Sequence, residues 1–220
     1  MFVLLNRASL ISVFFFFSLI CYAKDSEITR MLSDLAKKQS TPELRQQAIR
    51  LGQDRAVLCN QCHGADGNSK KPGAPNLAAQ NPVYLLDQIE KFSDGRRKNY
   101  VMNALSKNFS RDDKENLAIF YASLKVNQTK TNAKLAKKGQ SIYIKQCSTC
   151  HGKQGEGNTD YARLAGQQTN YVETTLRRFR DKLKNNSTSI KRSSIIMESM
   201  TKGLSDGDIK ALAAYVAQLK

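Results

Sequence analysis

The chain has 220 residues and a formal net charge of +16, with five cysteines, two histidines and no tryptophan. That length leaves room for one or two small domains and excludes a larger assembly within one chain. A balance this basic suits nucleic acid, anionic lipid headgroups or an acidic protein partner.

Met1 to Ala23 reads as a secretory signal peptide rather than as part of the fold. Arg7 supplies a weak positive start, Leu10 to Ile20 a short apolar run, and Cys21-Tyr22-Ala23 a small-x-small cleavage site. Cys21 follows Ile20 instead of the small residue that a lipoprotein signal carries. Export makes nucleic acid a poor partner and leaves lipid headgroups or an acidic protein. Asp25 to Lys38 has apolar residues at Ile28, Met31, Leu32 and Leu35, a helical period. Residues 24–41 thus form an extra helical segment with no assigned role, and Met31 belongs to its amphipathic face. Ser40-Thr41-Pro42-Glu43 starts the next helix. That helix runs toward Leu58 and delivers Cys59-Asn60-Gln61-Cys62-His63.

Cys-x-x-Cys-His is the attachment signature of a c-type haem. One turn of backbone lets both thiols reach the two vinyl groups of one porphyrin, and the next residue offers its imidazole to the iron. The motif recurs as Cys147-Ser148-Thr149-Cys150-His151, so two motifs use four of the five cysteines and both histidines. Zinc would instead need Cys or His pairs converging on one ion. A disulfide redox centre would need a βαβ context that the pattern lacks. Two covalent haem c groups are therefore expected on Cys59, Cys62, Cys147 and Cys150.

After the first motif a loop leads to Pro72-Gly73-Ala74-Pro75. Tyr84, Leu85, Gln88, Ile89 and Phe92 then recur at helical spacing, a Gly95-Arg96-Arg97 turn follows, and Asn99 to Phe109 carries Met102. Ser110 caps a last helix, and residues 127–133 read as a linker. The order then repeats. Gly52 returns as Gly139, Asn76-Leu77-Ala78-Ala79-Gln80 as Arg163-Leu164-Ala165-Gly166-Gln167, Tyr84 as Tyr171, and Phe92 as Phe179. A unit of about 90 residues is too long for a solenoid repeat and marks an internal duplication. Residues 42–126 and 134–220 are each expected to form a small all-α domain wrapped around a haem that supplies much of its core. The Tyr and Phe pairs are expected to pack on the porphyrin and have no chemical role.

With no further histidine, the sixth iron position is open or filled by another side chain. Met/His ligation is the common electron-transfer arrangement. Met102 lies seven residues before Phe109-Ser110, and Met197 seven before Leu204-Ser205, whereas Met200 lies four before. Register therefore selects Met102 and Met197 as axial ligands beside His63 and His151.

These features together resemble a di-haem cytochrome c of the c4 type: two haem motifs, Leu-Ala-x-Gln followed by Tyr, and a Met seven residues before Leu/Phe-Ser, over roughly Pro42 to Lys220. The resemblance implies two class I cytochrome c domains related by a pseudo-twofold axis. It also implies an exported electron carrier between a quinol-oxidising complex and a terminal oxidase in a respiratory chain, often loosely membrane-associated. An electron-accepting subunit of a periplasmic dehydrogenase, such as a flavin-linked sulfide dehydrogenase, has a similar fold. A di-haem peroxidase fits less well, since no histidine is spare and both halves offer a methionine. The family pattern places a proline carbonyl where it orients the ligand imidazole; Pro75 fills that place in the first half and Ala162 in the second. Arg97 and Lys184 are candidates to meet haem propionates, and Lys182 replaces the turn glycine.

The second half is the more basic one. Asn127 to Lys220 holds seventeen basic and seven acidic residues, against ten and seven in Cys59 to Val126. That excess predicts a higher potential for the second haem. It also predicts steering of the second half, through Arg177, Arg178, Arg180 and their neighbours, toward an acidic partner.

Overall fold

A computed structural model describes residues 28–129, 131–185 and 194–220; the expected signal peptide and the insertion around Asn185 to Lys191 lie largely outside them. The described residues contain helices and no strand. In the first half, α1 (28–38), α2 (Pro42–Arg55), α3 (Asn60–His63), α4 (Pro82–Ser93), α5 (Tyr100–Lys107) and α6 (Arg111–Ser123) follow in order. In the second, α7 (Ala133–Gln146), α8 (Ser148–His151), α9 (Thr169–Asn185), α10 (Ile195–Thr201) and α11 (Asp206–Val216) repeat the series without a counterpart of α1.

Each half is closed by a crossing of its long first helix with its last, α2 on α6 and α7 on α11. Glycine permits both crossings. A Cβ on Gly52 would sit 2.2 Å from the Asn116 carbonyl oxygen, and one on Gly139 would sit 1.9 Å from that of Ala211. No side chain fits at that approach, which explains the matched glycines in the two copies. The last helices start alike as well. Ser110 with Asp113, and Ser205 with Asp208, form complete capping boxes. The α2 cap is Thr41 rather than Ser40: its Oγ1 accepts from the Leu44 N–H at 3.3 Å, while Ser40 Oγ donates to the Lys37 carbonyl at 2.8 Å.

Two separate apolar cores result, one around Leu85, Leu117, Ile119 and Phe120, the other around Tyr143, Ile209, Leu212 and Val216. The N-terminal segment belongs to the first. Met31 and Leu35 of α1 are buried within that core, so Met31 does more than line a helix face. Lys38 anchors the end of α1 on α6, with an ion pair to the buried Glu115 at 2.9 Å, a second to Asp112, and a hydrogen bond to Asn116 Oδ1 at 3.0 Å. Burial pushes the Glu115 carboxyl up, and the Lys38 ammonium works against that shift.

The stretch between the halves is fastened to both. The Asn127 N–H donates to Asn68 Oδ1 at 2.7 Å in the first half, and Asn68 Nδ2 donates to the Lys125 carbonyl at 2.9 Å. A few residues on, the Thr129 N–H meets the Ala217 carbonyl at 3.1 Å and Thr131 Oγ1 donates to that of Ala214 at 2.9 Å, both in the second half. The described residues 127–129, 131 and 132 are therefore hydrogen-bonded to both halves, a more constrained state than a linker rich in Asn, Thr and Lys suggests.

Candidate functional site

Each Cys-x-x-Cys-His stretch folds as a single helical turn. The His63 N–H bonds the Cys59 carbonyl at 2.9 Å and the His151 N–H bonds that of Cys147 at 3.0 Å, so each histidine lies one turn beyond its first cysteine. All four cysteines are free and half-buried. Burial pushes the Cys59 thiol up and pushes Cys147 up to about 11. A disulfide-exchange centre needs a lowered thiol pKa, the reverse of this. Among the described residues no group of three or more His, Cys, Asp or Glu is placed to hold a metal ion, which the zinc alternative would require.

Both histidines are buried, His63 at 7% exposure and His151 at 9%. Nδ1 of His63 lies 2.9 Å from the Pro75 carbonyl oxygen and Nδ1 of His151 lies 2.8 Å from that of Ala162. A carbonyl only accepts, so Nδ1 carries a proton in each ring. Burial holds His63 below the usual histidine range, against the Pro75 bond that raises it and with the Arg97 charge lowering it further. The imidazole is therefore neutral at neutral pH. The substitution of Ala162 for Pro75 leaves the carbonyl in place at an equal distance. Two thiols one turn apart and an imidazole oriented through Nδ1 make a donor set that fits a c-type haem in each half.

The methionines occupy equivalent positions. Met102 is the third residue of α5, its N–H capped by Asn99 Oδ1 at 3.0 Å, and Met197 is the third of α10, its N–H capped by Ser194 Oγ at 3.3 Å. Ser106 Oγ returns to the Met102 carbonyl and Thr201 Oγ1 to that of Met197, each at 2.7 Å. Both side chains are half-buried, while Met200 is 43% exposed. Each methionine is carried by a different element from its histidine, on helices that pack against α4 and α9.

Around these shared positions the halves diverge. Asn103 of α5 donates from Nδ2 to the Arg97 carbonyl at 2.9 Å and also to that of Phe92; Glu198 of α10, its counterpart, is buried and pairs with Lys182 at 2.6 Å. Lys71 Nζ approaches Cys62 Sγ at 3.8 Å, whereas the ring of Tyr161 meets that of His151 edge-on at 6.1 Å. Arg97 stacks over Phe92 at 4.5 Å and reaches Gln88 Oε1 at 2.7 Å and the Tyr171 hydroxyl, across the boundary between halves, at 3.1 Å. The Tyr171 hydroxyl thus has a polar role that a purely packing tyrosine would lack. The side chain of Lys184 lies outside the described residues.

Sequence reasoning missed the residues that join the halves. Gln80 and Gln167 are 7% and 6% exposed, and each spans the boundary to bond the backbone of the opposite loop. Their signal was the recurrence of one glutamine at the same place in both copies. Asn76 Nδ2 adds a bond to the Gly166 carbonyl at 2.8 Å. These contacts place the two motif-bearing loops face to face in a pseudo-twofold arrangement.

A cytochrome c family model matches residues 136–220. Cytochrome c4 of Pseudomonas aeruginosa is 34% identical over 178 residues, covering 76% of this chain and 87% of that protein. The chain belongs to the cytochrome c4 family. The crystal structure of reduced recombinant cytochrome c4 from Pseudomonas stutzeri is 31% identical and superposes with a TM-score of 0.68, covering 77% of this chain and 97% of that one. The thiosulfate dehydrogenase electron acceptor of Stutzerimonas stutzeri is 27% identical, covering 74% of this chain and 80% of that protein. This c4-type cytochrome is thus an all-α protein of two class I cytochrome c domains, a di-haem c-type cytochrome that transfers electrons rather than an enzyme.

Part of the positive charge of its second half is paired locally, and the excess of basic over acidic residues remains. Arg180 pairs with Asp206 at 2.7 Å and with Asp181 at 2.8 Å, Lys138 with Asp208 at 2.9 Å, and Arg177 also reaches Asp206. Of the arginines expected to steer docking, Arg178 is the exposed one. No described helix is long and apolar enough to cross a membrane.

Proposed function

We propose that this c4-type cytochrome is an exported carrier of single electrons in a respiratory chain, taking them from a quinol-oxidising complex and passing them to a terminal oxidase. Cys59 and Cys62 in one half, and Cys147 and Cys150 in the other, form the thioethers. His63 with Met102, and His151 with Met197, supply the axial ligands. The bound haems provide a one-electron Fe(III)/Fe(II) couple. The carrying observation is the duplicated donor set, in which each imidazole is fixed at Nδ1 by a backbone carbonyl at 2.9 or 2.8 Å.

The protein's own residues then do three things. The Pro75 and Ala162 carbonyls fix ring orientation, so neither imidazole must reorganise when charge changes. Capped helices α5 and α10 hold Met102 and Met197 at matched positions, and thioether ligation raises the potential into the range of a high-potential carrier. The glutamine contacts and the hydrogen bonds of Asn127, Thr129 and Thr131 fix one half against the other, so exchange within the molecule needs no domain motion.

A specific observation favours a second reading. Similarity to a thiosulfate dehydrogenase electron acceptor supports an electron-accepting partner of a periplasmic dehydrogenase. The partner in either case would be a redox protein with acidic docking groups, with peripheral membrane association allowed by the basic surface. The test is a potentiometric titration followed by absorbance, joined to co-purification from the native membrane and periplasm. Two reducible haems with components of a quinol-oxidising complex or a terminal oxidase bound support the carrier; a tightly bound dehydrogenase subunit supports the second reading; uptake of a single electron per chain contradicts both.

A further inference from the structure

The two peptide units that orient the histidines are each held from the opposite half. His63 Nδ1–H donates to the Pro75 carbonyl at 2.9 Å, and the N–H of that same peptide unit, on Asn76, donates to Gln167 Oε1 at 2.7 Å. His151 Nδ1–H donates to the Ala162 carbonyl at 2.8 Å, and the N–H of that peptide, on Arg163, donates to Gln80 Oε1 at 2.7 Å. Each glutamine also returns a bond from Nε2 to the next carbonyl, Gln167 to Asn76 at 3.0 Å and Gln80 to Arg163 at 3.1 Å.

The orientation of both amides is fixed by chemistry. Gln80 Oε1 also receives the Asn81 N–H at 3.2 Å, and Gln167 Oε1 the Gln168 N–H at 3.0 Å. Turning either amide over would set an NH₂ group against two N–H donors. The backbone also aims these side chains. The residue before each glutamine is left-handed, Ala79 at φ 56° and Gly166 at φ 70°, and each is pinned by its N–H to the end of its own last helix, at the Tyr121 and Val216 carbonyls. Ala79 holds a conformation that residues other than glycine rarely adopt.

A peptide's nitrogen and carbonyl are conjugated. An acceptor on the N–H moves electron density toward the carbonyl oxygen, and bonds in such a chain strengthen one another by roughly 10–30% each. A stronger acceptor at Nδ1–H makes Nε2 a more basic ligand, and a more basic ligand favours the oxidised metal. We propose that Gln80 and Gln167 are positioning residues that act across the domain boundary, Gln167 setting the basicity of His63 and Gln80 that of His151. The proposal rests on the reading of His63 and His151 as iron ligands. Each redox site is then incomplete without the other half. It also accounts for the tolerance of Ala162 where the first half has Pro75: Gln80 holds that peptide from the far side.

The test uses the full-length holoprotein with Gln80→Leu, Gln80→Glu, Gln167→Leu and Gln167→Glu. Redox titration is followed by proton NMR, with each haem assigned through contacts of its methyl groups with aromatic residues of its own half. Gln80→Leu should raise the potential of the second-half haem and leave the first in place; Gln167→Leu should do the reverse. The Glu variants keep an acceptor oxygen on the N–H and strengthen it with charge. They should lower the wave of the opposite half more than their own, and they carry the test alone if a Leu variant does not assemble. A shift in the variant's own half, equal shifts of both waves, or Leu and Glu variants moving alike would overturn the proposal. Pyridine haemochrome content and the methionine–iron near-infrared band are recorded on the same samples. Their absence from the unsubstituted protein would count against the ligand reading. Two intact haems with unmoved waves would count against the cross-boundary role.

Discussion

The two halves of this cytochrome share their backbone hydrogen bonds and differ in their side-chain charges. The glycine crossings, the serine–aspartate capping boxes, the carbonyl on each histidine and the capped third position of each methionine coincide. Around that frame, Lys71 approaches the second cysteine of one half, and Tyr161 lies edge-on to the histidine of the other. A neutral Asn103 in the first half is replaced by a Glu198–Lys182 pair in the second, and α1 braces the first half alone. A duplicated domain thus keeps the contacts that set ligand geometry and varies the groups that set local field. Lys182, one of the charges behind the expected higher potential of the second haem, is paired with Glu198, so the expectation rests on the remaining excess.

The largest effect should come from breaking ligation in one half. Met197→Ala is expected to abolish half of the near-infrared methionine–iron band and lower that haem's potential, with Met200→Ala leaving both intact. The matched caps at Met102 and Met197, and the 43% exposure of Met200, motivate the choice. Loss of the band in the Met200 variant instead would transfer the ligand role.

Next in size is the brace found on one side only. Leu35 is 1% exposed in the first core. Leu35→Ala should cost about 2–5 kcal/mol by urea denaturation. The loss should fall on the half carrying α1, with hydrogen exchange accelerating in α2 and α6 while α7 and α11 keep their protection. Uniform acceleration would mean that the halves unfold as one unit.

A smaller effect probes an element common to both. The Ser205 box and Lys138 hold the Asp208 carboxyl down to about 2, from an ordinary value of 3.8. Its folded value lies below its unfolded one, so its contribution is present above about pH 4 and is lost as pH falls through about 2. Asp208→Ala should remove about 1 kcal/mol at pH 7 and flatten that part of the acid limb. An unchanged acid limb would exclude this carboxyl.

Much of this was legible in the sequence. The haem motifs, the duplication and the helix order are local signals, with spacings of three, four or seven residues. The methionine register was found the same way, by comparing one copy with the other. The glutamine contacts join residues about 90 positions apart, and no periodicity reports a partner at that distance. Ion pairing was hidden for a similar reason. Counting charge along Asn127 to Lys220 gave an excess, but only folding sets Arg177 and Arg180 on Asp206 and Lys182 on Glu198. The helix at 28–38 was visible as an amphipathic stretch, yet the groove for Met31 and Leu35 exists only after α6 is in place.

The most direct test of the central claim, one covalent haem in each half, is the intact mass of the protein purified from its native compartment, before and after acid-acetone extraction. Two complete motifs predict a mass above that of the polypeptide by two haem groups, unchanged by extraction. A mass carrying one haem, or a loss of haem on extraction, would contradict it.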